Sequence, residues 1–277
     1  MSVENINWYP GHMKKTRELI QENLKMVDLV IEVIDARIPV SSRNPIVDEL
    51  ISGKRRIIVL NKCDLSDSAK NSLWAEKLKK EGTIVLQLNS NRGDGVKELL
   101  RTLSGIQDEI NSQKERKRSL RMMIVGVPNV GKSSLINRLT GKKSAKTGDK
   151  PGVTKGKQWL AIDNGMQLLD TPGILWPKFE DPKVGLNLAF CGSIKDEILD
   201  IESLCLELIK VLQKNYPKLL MERYKLDSLD EDALINMEEI AKKRGFIMPG
   251  KRIDYERTAK TVLDEFRAGI IGKITLE

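Results

Sequence analysis

Cysteine, histidine and aromatic residues are scarce in this sequence of 277 residues, which has three cysteines, one histidine and 4% aromatic residues. Three cysteines cannot all pair in disulfides, and their spacing does not fit a zinc site. No apolar run approaches the roughly 20 residues of a membrane span, and no signal or transit pattern precedes the first motif. The sequence therefore predicts a cytoplasmic protein that has no disulfide framework, no structural zinc and no membrane partner.

The net charge is strongly positive, at +8, and the pI is near 9.2. Two basic runs contribute to it, and each could neutralise the phosphates of RNA or form an ordinary solvated surface. The low aromatic content favours recognition of RNA shape and backbone over extensive base stacking. The runs are Lys114, Arg116, Lys117, Arg118 and Arg121, and Lys242, Lys243, Arg244, Lys251 and Arg252.

The first two thirds of the chain alternate short apolar runs with stretches of helical periodicity, which is typical of a mostly parallel, doubly wound α/β sheet. The apolar runs are rich in β-branched residues and too short for most helices, as buried parallel strands are. Strands are predicted at Met26–Asp35, Arg56–Leu60, Thr83–Leu88, Met122–Gly126, Gln158–Ile162 and Met166–Leu169, and helices at Ser68–Glu81, Asp94–Asn111 and Lys132–Thr140.

Beyond residue 195 the pattern is almost entirely helical, with stretches at Ile201–Asn215 and Glu231–Arg244. A chain of this length with 40% hydrophobic residues can bury one sizeable core and carry a second, smaller domain. We predict an α/β domain at residues 1–178, followed by a small all-helical domain at residues 179–277.

The segment GVPNVGKS at 126–133 follows a predicted strand and opens a predicted helix, the context that makes this pattern a phosphate-binding loop. Backbone N–H groups of the loop and of the helix N-terminus can surround phosphates. Lys132 can reach the terminal oxygens, and Ser133 can hold Mg²⁺. The residues expected to contact the nucleotide here are Asn129, Val130, Gly131, Lys132, Ser133 and Ser134.

Two further segments complete the predicted phosphate and Mg²⁺ site. DTPG at 170–173 follows a strand, so Asp170 can bind Mg²⁺ through water while Gly173 donates its N–H to the γ-phosphate. In PGVT at 151–154, Thr154 can close on Mg²⁺ and the γ-phosphate in the triphosphate state only. The predicted metal set is therefore Ser133, Thr154 and Asp170.

The NKCD sequence at 61–64 ends a predicted strand, where ligand-binding residues of an open parallel sheet collect. The Asp64 carboxylate can accept hydrogen bonds from guanine N1–H and from the exocyclic amine, a pair of donors that adenine lacks. Asn61 and Lys62 belong to the same motif. Asn89 and Ser90 follow the next strand and are expected to complete the base pocket, unless they form a simple turn. The predicted ligand is GTP or GDP.

These motifs resemble those of the translation-factor-like GTPases, but the base motifs precede the phosphate loop, as in the circularly permuted members. Other segments are similar to the ribosome biogenesis GTPase A family, and the match covers essentially the whole chain: NWYPGHM at 7–13, DAR at 35–37, SSRNP at 41–45 and DTPGILWPKFE at 170–180. The resemblance implies a P-loop GTPase domain in permuted order and a nucleotide-dependent switch in late maturation of the large ribosomal subunit. It also implies that the helical C-terminal domain binds rRNA.

The mechanism of hydrolysis departs from that of many GTPases, in which a glutamine after DxxG orients the attacking water. That position is Ile174 here, which cannot hydrogen-bond to water. The permuted family is thought to use a histidine, so His12 is the candidate, with RNA contact or loop packing as the alternative. Asn129 resembles the asparagine with which related GTPases hold K⁺, which implies stimulation by K⁺.

Other functions remain open from the sequence alone. An ATP-dependent kinase or ATPase would share the phosphate loop but has no use for Asn61 and Asp64. A GTPase switch acting on a protein partner, or a GTP-binding module with little hydrolysis, is compatible with Ile174. We expect a monomer when the protein is not bound to the ribosome.

Overall fold

A six-stranded sheet dominates the first part of the structure, a computed structural model that describes residues 18, 20–51, 53–79, 83–112, 114–141, 158–162, 165–171, 175, 179 and 181–277. The strands are β1 (Leu29–Asp35), β2 (Arg55–Asn61), β3 (Thr83–Gln87), β4 (Arg121–Val125), β5 (Gln158–Ile162) and β6 (Met166–Asp170). They lie in the order β3-β2-β1-β4-β6-β5, and only β5 and β6 run antiparallel among these neighbours.

Helices alternate with the strands of this sheet: α1 (Pro45–Leu50), α2 (Ser68–Leu78), α3 (Val96–Ser112) and α4 (Lys132–Thr140). The last three were predicted, whereas α1 was not. The central strand β1 is buried at every position, which is why its sequence is a continuous apolar run broken only by Glu32 and Asp35. The mostly parallel α/β class predicted from the sequence is confirmed.

The second part of the structure is helical: α5 (Pro182–Phe190), α6 (Ile201–Asn215), α7 (Pro217–Tyr224), α8 (Ala233–Arg244) and α9 (Tyr255–Arg267). Four of these five helices begin after an aspartate whose side chain accepts a hydrogen bond from the first turn. An antiparallel hairpin of β7 (Ile247–Met248) and β8 (Arg252–Ile253) adds to the predicted helices. Its strands are too short to show an alternating pattern in the sequence.

The helical part and the sheet share one apolar core. Residues near 275 also lie along the sheet part: Ile274 N–H donates to Leu65 O at 3.1 Å, and Leu276 N–H donates to Arg37 O at 2.8 Å. The Glu277 carboxylate accepts from the backbone N–H groups of Val40 and Ser41. The two parts are therefore joined by packing and by hydrogen bonds. Among the described helices, none is both long and apolar enough to cross a bilayer.

Candidate functional site

Three of the predicted nucleotide motifs lie at one edge of the sheet. β1, β2, β4 and β6 are parallel, so their last residues, including Asn61 and Asp170, lie at the same edge. The chain proceeds outward from β1 to β2 and β3 on one side, and from β4 to β6 on the other. The phosphate loop follows β4, at the point where the strand order reverses, which is where open α/β sheets bind ligands.

Two glycines allow the phosphate loop to pack closely. Gly126 has φ 154°, and a Cβ on it would lie 2.3 Å from Val33 O. Gly131 has φ 95°, and a Cβ on it would lie 2.3 Å from Asn61 Nδ2. Gly131 also caps α4 without a side-chain hydrogen bond. The first N–H groups of α4 are thus left for an anion, as the sequence predicts.

The Lys132 side chain is buried against the phosphate loop. Its ammonium group donates to Gly126 O at 3.0 Å and to Val127 O at 2.8 Å. Burial lowers its pKa to about 8, and the neighbouring Asp170 carboxylate only partly opposes this change. Backbone carbonyls are weaker partners for a buried cation than a phosphate is, so we expect Lys132 to exchange them for phosphate oxygens when nucleotide binds.

We expect the affinity for GDP to fall as the pH rises above about 8. A phosphate oxygen favours the ammonium form, so the pKa of Lys132 is higher in the complex than in the free protein, where it is about 8. Binding then takes up a proton, so full affinity is present below about pH 8. Above it the affinity falls by up to roughly tenfold per pH unit until the pKa of the complex is reached.

Titration calorimetry of GDP binding between about pH 7 and pH 9.5 measures this dependence. Lys132→Arg is the control, because a guanidinium stays charged over that range. Any dependence that remains in this variant belongs to the guanine base. Identical pH profiles for the two proteins would contradict the assignment of Lys132 to the phosphates.

Asn61 joins the base motif to the rest of the site. Its Nδ2 donates to Val130 O at 2.7 Å, and its Oδ1 accepts from the Ser90 backbone N–H at 3.0 Å and from the Ser90 hydroxyl at 2.8 Å. Lys62 has φ 61°, and its Nζ donates a hydrogen bond to Asn129 O at 2.5 Å. The structure therefore brings the NKCD sequence, the Asn89–Ser90 segment and the phosphate loop together.

The residues predicted to hold the base are Asp64 and the loop after β3. The Asp64 side chain is half-exposed, and its carboxylate accepts no hydrogen bond from the part of the chain that the structure describes. Asn89 Oδ1 accepts from the N–H groups of Asn91 and Arg92 and so closes the loop. Asp64 can therefore meet a base, whereas Asn89 has the role of a turn residue.

Arg138 is a site residue that the sequence analysis missed. It lies on α4, and its guanidinium donates to Ser90 O at 3.2 Å and also to Asn91 O. The helix that begins at the phosphate loop thus holds the loop of the base pocket. No local pattern identifies this contact, because the partners are 48 residues apart.

A buried ion pair supports the base motif. Asp35, at the end of β1, receives two side-chain hydrogen bonds from Arg37 at 3.0 and 2.8 Å, and Lys62 Nζ lies 3.1 Å from Asp35 Oδ2. Burial alone would raise the pKa of Asp35, but Arg37 and Lys62 hold it well below its usual range. Arg37 also donates to Arg267 O at 3.2 Å and stacks on Phe266, so the pair links the base motif to α9.

Asp170, the predicted Mg²⁺ residue, ends β6. Its Oδ1 is buried and has no hydrogen-bond partner among the residues that the structure describes. Burial raises its pKa, and Lys132 opposes that change. A buried carboxylate oxygen with no partner, beside the first turn of α4 with Ser133 and Ser134, fits a divalent cation held between protein and phosphate. Thr154, Gly173, Ile174 and His12 lie outside the described residues.

The predicted basic runs are partly used in ion pairs. In the first run, Arg118 pairs with Asp28 at 2.6 Å. In the second, Lys242 pairs with Glu239, Lys243 with Asp227 and Arg244 with Glu265. Lys251 and Arg252 belong to the hairpin region and are exposed. Partial pairing lowers the charge available to an anionic partner at each run.

Several known GTPases are similar to this chain. A family model described as 50S ribosome-binding GTPase matches residues 121–245, and one described as RsgA GTPase matches residues 46–180. Ribosome biogenesis GTPase A of Bacillus cereus is 46% identical over 98% of this chain and 93% of its own length. Mitochondrial ribosome-associated GTPase 1 of mouse is 34% identical over 98% of this chain and 89% of its own length.

Solved structures show the same fold. GNP-bound YlqF from T. maritima is 31% identical, has a TM-score of 0.67 and covers 95% of this chain and 97% of its own. A GDP-bound YlqF has a TM-score of 0.68 at 30% identity and covers 94% of this chain and 98% of its own. With its base motifs ahead of its phosphate loop, the chain belongs to the ribosome biogenesis GTPase A family of circularly permuted GTPases.

Proposed function

We propose that this GTPase of ribosome assembly binds the precursor of the large ribosomal subunit, including its rRNA, and acts as a nucleotide-dependent switch in late maturation. The observation that carries the proposal is the bonding of Asn61, which connects the guanine motif to the phosphate loop in a single site. One guanine nucleotide could therefore contact the protein through its base and through its phosphates at the same time. The names of the relatives supply the ribosomal context.

In this proposal residues 1–178 form the GTPase domain, and residues 179–277 form the domain that binds rRNA. Asn61, Lys62, Asp64 and Ser90 form the base pocket, and Asn89 closes the loop beside it. Phosphates are held by residues 129–134 with Thr154, Asp170 and Gly173. The protein acts in the cytoplasm and is a monomer when it is away from the ribosome.

Mg²⁺ would be held by Ser133, Thr154 and Asp170, and it would neutralise the charge of the β- and γ-phosphates. The Asn129 side chain donates its amide N–H to Cys191 O at 3.2 Å, so its amide oxygen is the atom that could face K⁺. His12 would orient or briefly deprotonate the attacking water. Lys132, which donates to two loop carbonyls in the free protein, would contact the terminal phosphate oxygens.

We expect GTP turnover to be slow in the isolated protein, faster in K⁺ than in Na⁺ buffer, and strongly stimulated by large ribosomal subunits. ATP should not be hydrolysed, because adenine lacks the N1–H and 2-amino donors that Asp64 would accept from guanine. Phosphate release from the purified protein, with and without subunits, measures these differences. Loss of stimulation in His12→Ala would support the histidine as the water-orienting group.

Different outcomes identify the alternatives. Full stimulation in His12→Ala would remove that residue from catalysis and leave the switch intact. Tight GTP binding without stimulation by subunits would instead favour a switch acting on a protein partner, or a binding module with little hydrolysis.

A further inference from the structure

All five carbonyls from residue 126 to residue 130 of the phosphate loop accept hydrogen bonds from side chains. Lys132 donates to the first two, Lys62 donates to Asn129 O and Asn61 donates to Val130 O. A loop that binds an anion must direct its N–H groups inward and its carbonyls away. Donors outside the loop hold the peptide planes of residues 128–130 in that orientation before the anion arrives, whereas Lys132 is itself a loop residue.

The fifth carbonyl is held by a residue outside the nucleotide motifs. Pro128 O accepts from the Ser193 hydroxyl at 2.8 Å, and Ser193 is buried. Next to this contact, Asn129 has φ 61°, a left-handed conformation that residues with a Cβ seldom adopt. Its side chain donates to Cys191 O at 3.2 Å. Two hydrogen bonds between the 191–193 turn and the loop therefore fix the left-handed part of the loop.

The 191–193 turn is itself fastened to the helical part. Ser193 N–H donates to Leu188 O at 2.8 Å, at the end of α5. The Arg267 guanidinium, at the end of α9, donates to Phe190 O at 3.1 Å and pairs with Asp196 at 2.7 Å. The turn thus has a fixed position relative to α5 and α9, and it can transmit that position to the phosphate loop.

The turn also comes unusually close to the loop. Gly192 has φ 71°, and a Cβ on it would lie 3.0 Å from Asn129 Nδ2. A larger residue would have to displace the side chain of Asn129. The close contact between the 191–193 turn and the phosphate loop therefore depends on the absence of a side chain at Gly192. It also depends on the hydrogen bonds made by Cys191 and Ser193.

We propose that Ser193 is a positioning residue for the polyphosphate of the nucleotide. It holds the Pro128 peptide so that the N–H groups of the loop converge on the phosphates, and it makes the helical part a component of the nucleotide site. This inference rests on the proposed binding of guanine nucleotides. It adds that a residue outside the permuted GTPase motifs sets the affinity for phosphates.

Ser193→Ala tests the inference, with affinities measured for guanosine, GDP and a non-hydrolysable GTP analogue. Loss of one buried hydrogen bond should weaken GDP and the GTP analogue by about fivefold, because the orientation of the loop is no longer fixed. Guanosine, which does not reach the loop, should bind as it does to the unaltered protein. A purely structural role would weaken all three ligands alike.

Ser203→Ala is the matched control. Its hydroxyl also forms a hydrogen bond in the helical part, to Asp200 at 2.8 Å, but it lies at the start of α6. All three affinities should be unchanged in this variant. If Ser193→Ala does not fold, Ser193→Cys keeps the size of the side chain with a weaker donor and should show the same selective loss.

The outcomes separate this inference from the function on which it rests. Unaltered GDP affinity in Ser193→Ala, or an equal loss for guanosine, would overturn the positioning role while the GTPase assignment stands. If the unaltered protein bound no guanine nucleotide, both the proposed function and this inference would be overturned.

Discussion

Replacing Asp64 with asparagine should change the preferred base from guanine to xanthine. A carboxylate accepts both from guanine N1–H and from the exocyclic amine, whereas the asparagine amide has one acceptor and one donor. Xanthine has N1–H and a carbonyl at C2, which match that amide. The loss of two charge-assisted hydrogen bonds, at about 1.5–3 kcal/mol each, predicts GDP binding that is weaker by roughly 10²–10⁴-fold. The half-exposed Asp64 can be exchanged with little cost to folding.

Competition between GDP and XDP for Asp64→Asn measures this change. Asp67→Asn is the matched control three residues later. Asp67 caps α2 by accepting from Ala69 N–H at 2.9 Å, a role that asparagine performs equally well. The Asp67→Asn variant should keep the preference of the unaltered protein for GDP over XDP. If Asp64→Asn kept the preference of the unaltered protein, another residue would have to read the base.

Arg37→Met should lower the free energy of unfolding by about 3–5 kcal/mol, the range for breaking a buried ion pair from one side. Asp35 and Arg37 are 1% exposed, so methionine would leave the aspartate buried with Lys62 as its remaining charged partner. The variant also loses the hydrogen bond to Arg267 O and the stacking on Phe266. Denaturant titration of the nucleotide-free protein measures the loss.

Arg55→Met is the comparison for this prediction. Arg55 forms a bidentate pair with Glu109 at 2.9 and 2.6 Å, but that pair is on the surface. Water screens such pairs, so the same substitution should change stability far less. Equal losses in the two variants would contradict the claim that burial of the Asp35–Arg37 pair determines its effect.

The parts of the site that follow local rules could be predicted from the sequence. The GxxxxGKS spacing fixes a loop between a strand and a helix, and α4 begins and ends at the predicted residues, Lys132 and Thr140. Element ends that depend on tertiary contacts were less accurate. β1 was predicted from Met26 but begins at Leu29. The apolar run extends beyond the part that pairs with β4, and the Asp28 side chain binds Arg118 instead.

The contacts that hold the site together could not be predicted. Arg138 reaches the loop after β3, and Ser193 reaches the phosphate loop across 65 residues of sequence. Each is one side chain with one partner, and neither has a periodicity or motif that marks it. Arg37 entered the sequence analysis only through the family resemblance. An aspartate and an arginine two residues apart are common in sequences, and nothing in the sequence shows that this pair is buried.

The position of β1 at the centre of the sheet has a consequence for how the molecule folds. On one side β1 pairs with β2, which follows within about 30 residues, but on the other side it pairs with β4, about 90 residues later. Closing the longer loop costs more chain entropy, and such non-local pairing is slow. Asn61 precedes β4 in the chain, whereas its partner Val130 follows β4. A ribosome making this chain therefore releases the NKCD sequence well before the contact between Asn61 and the phosphate loop can form.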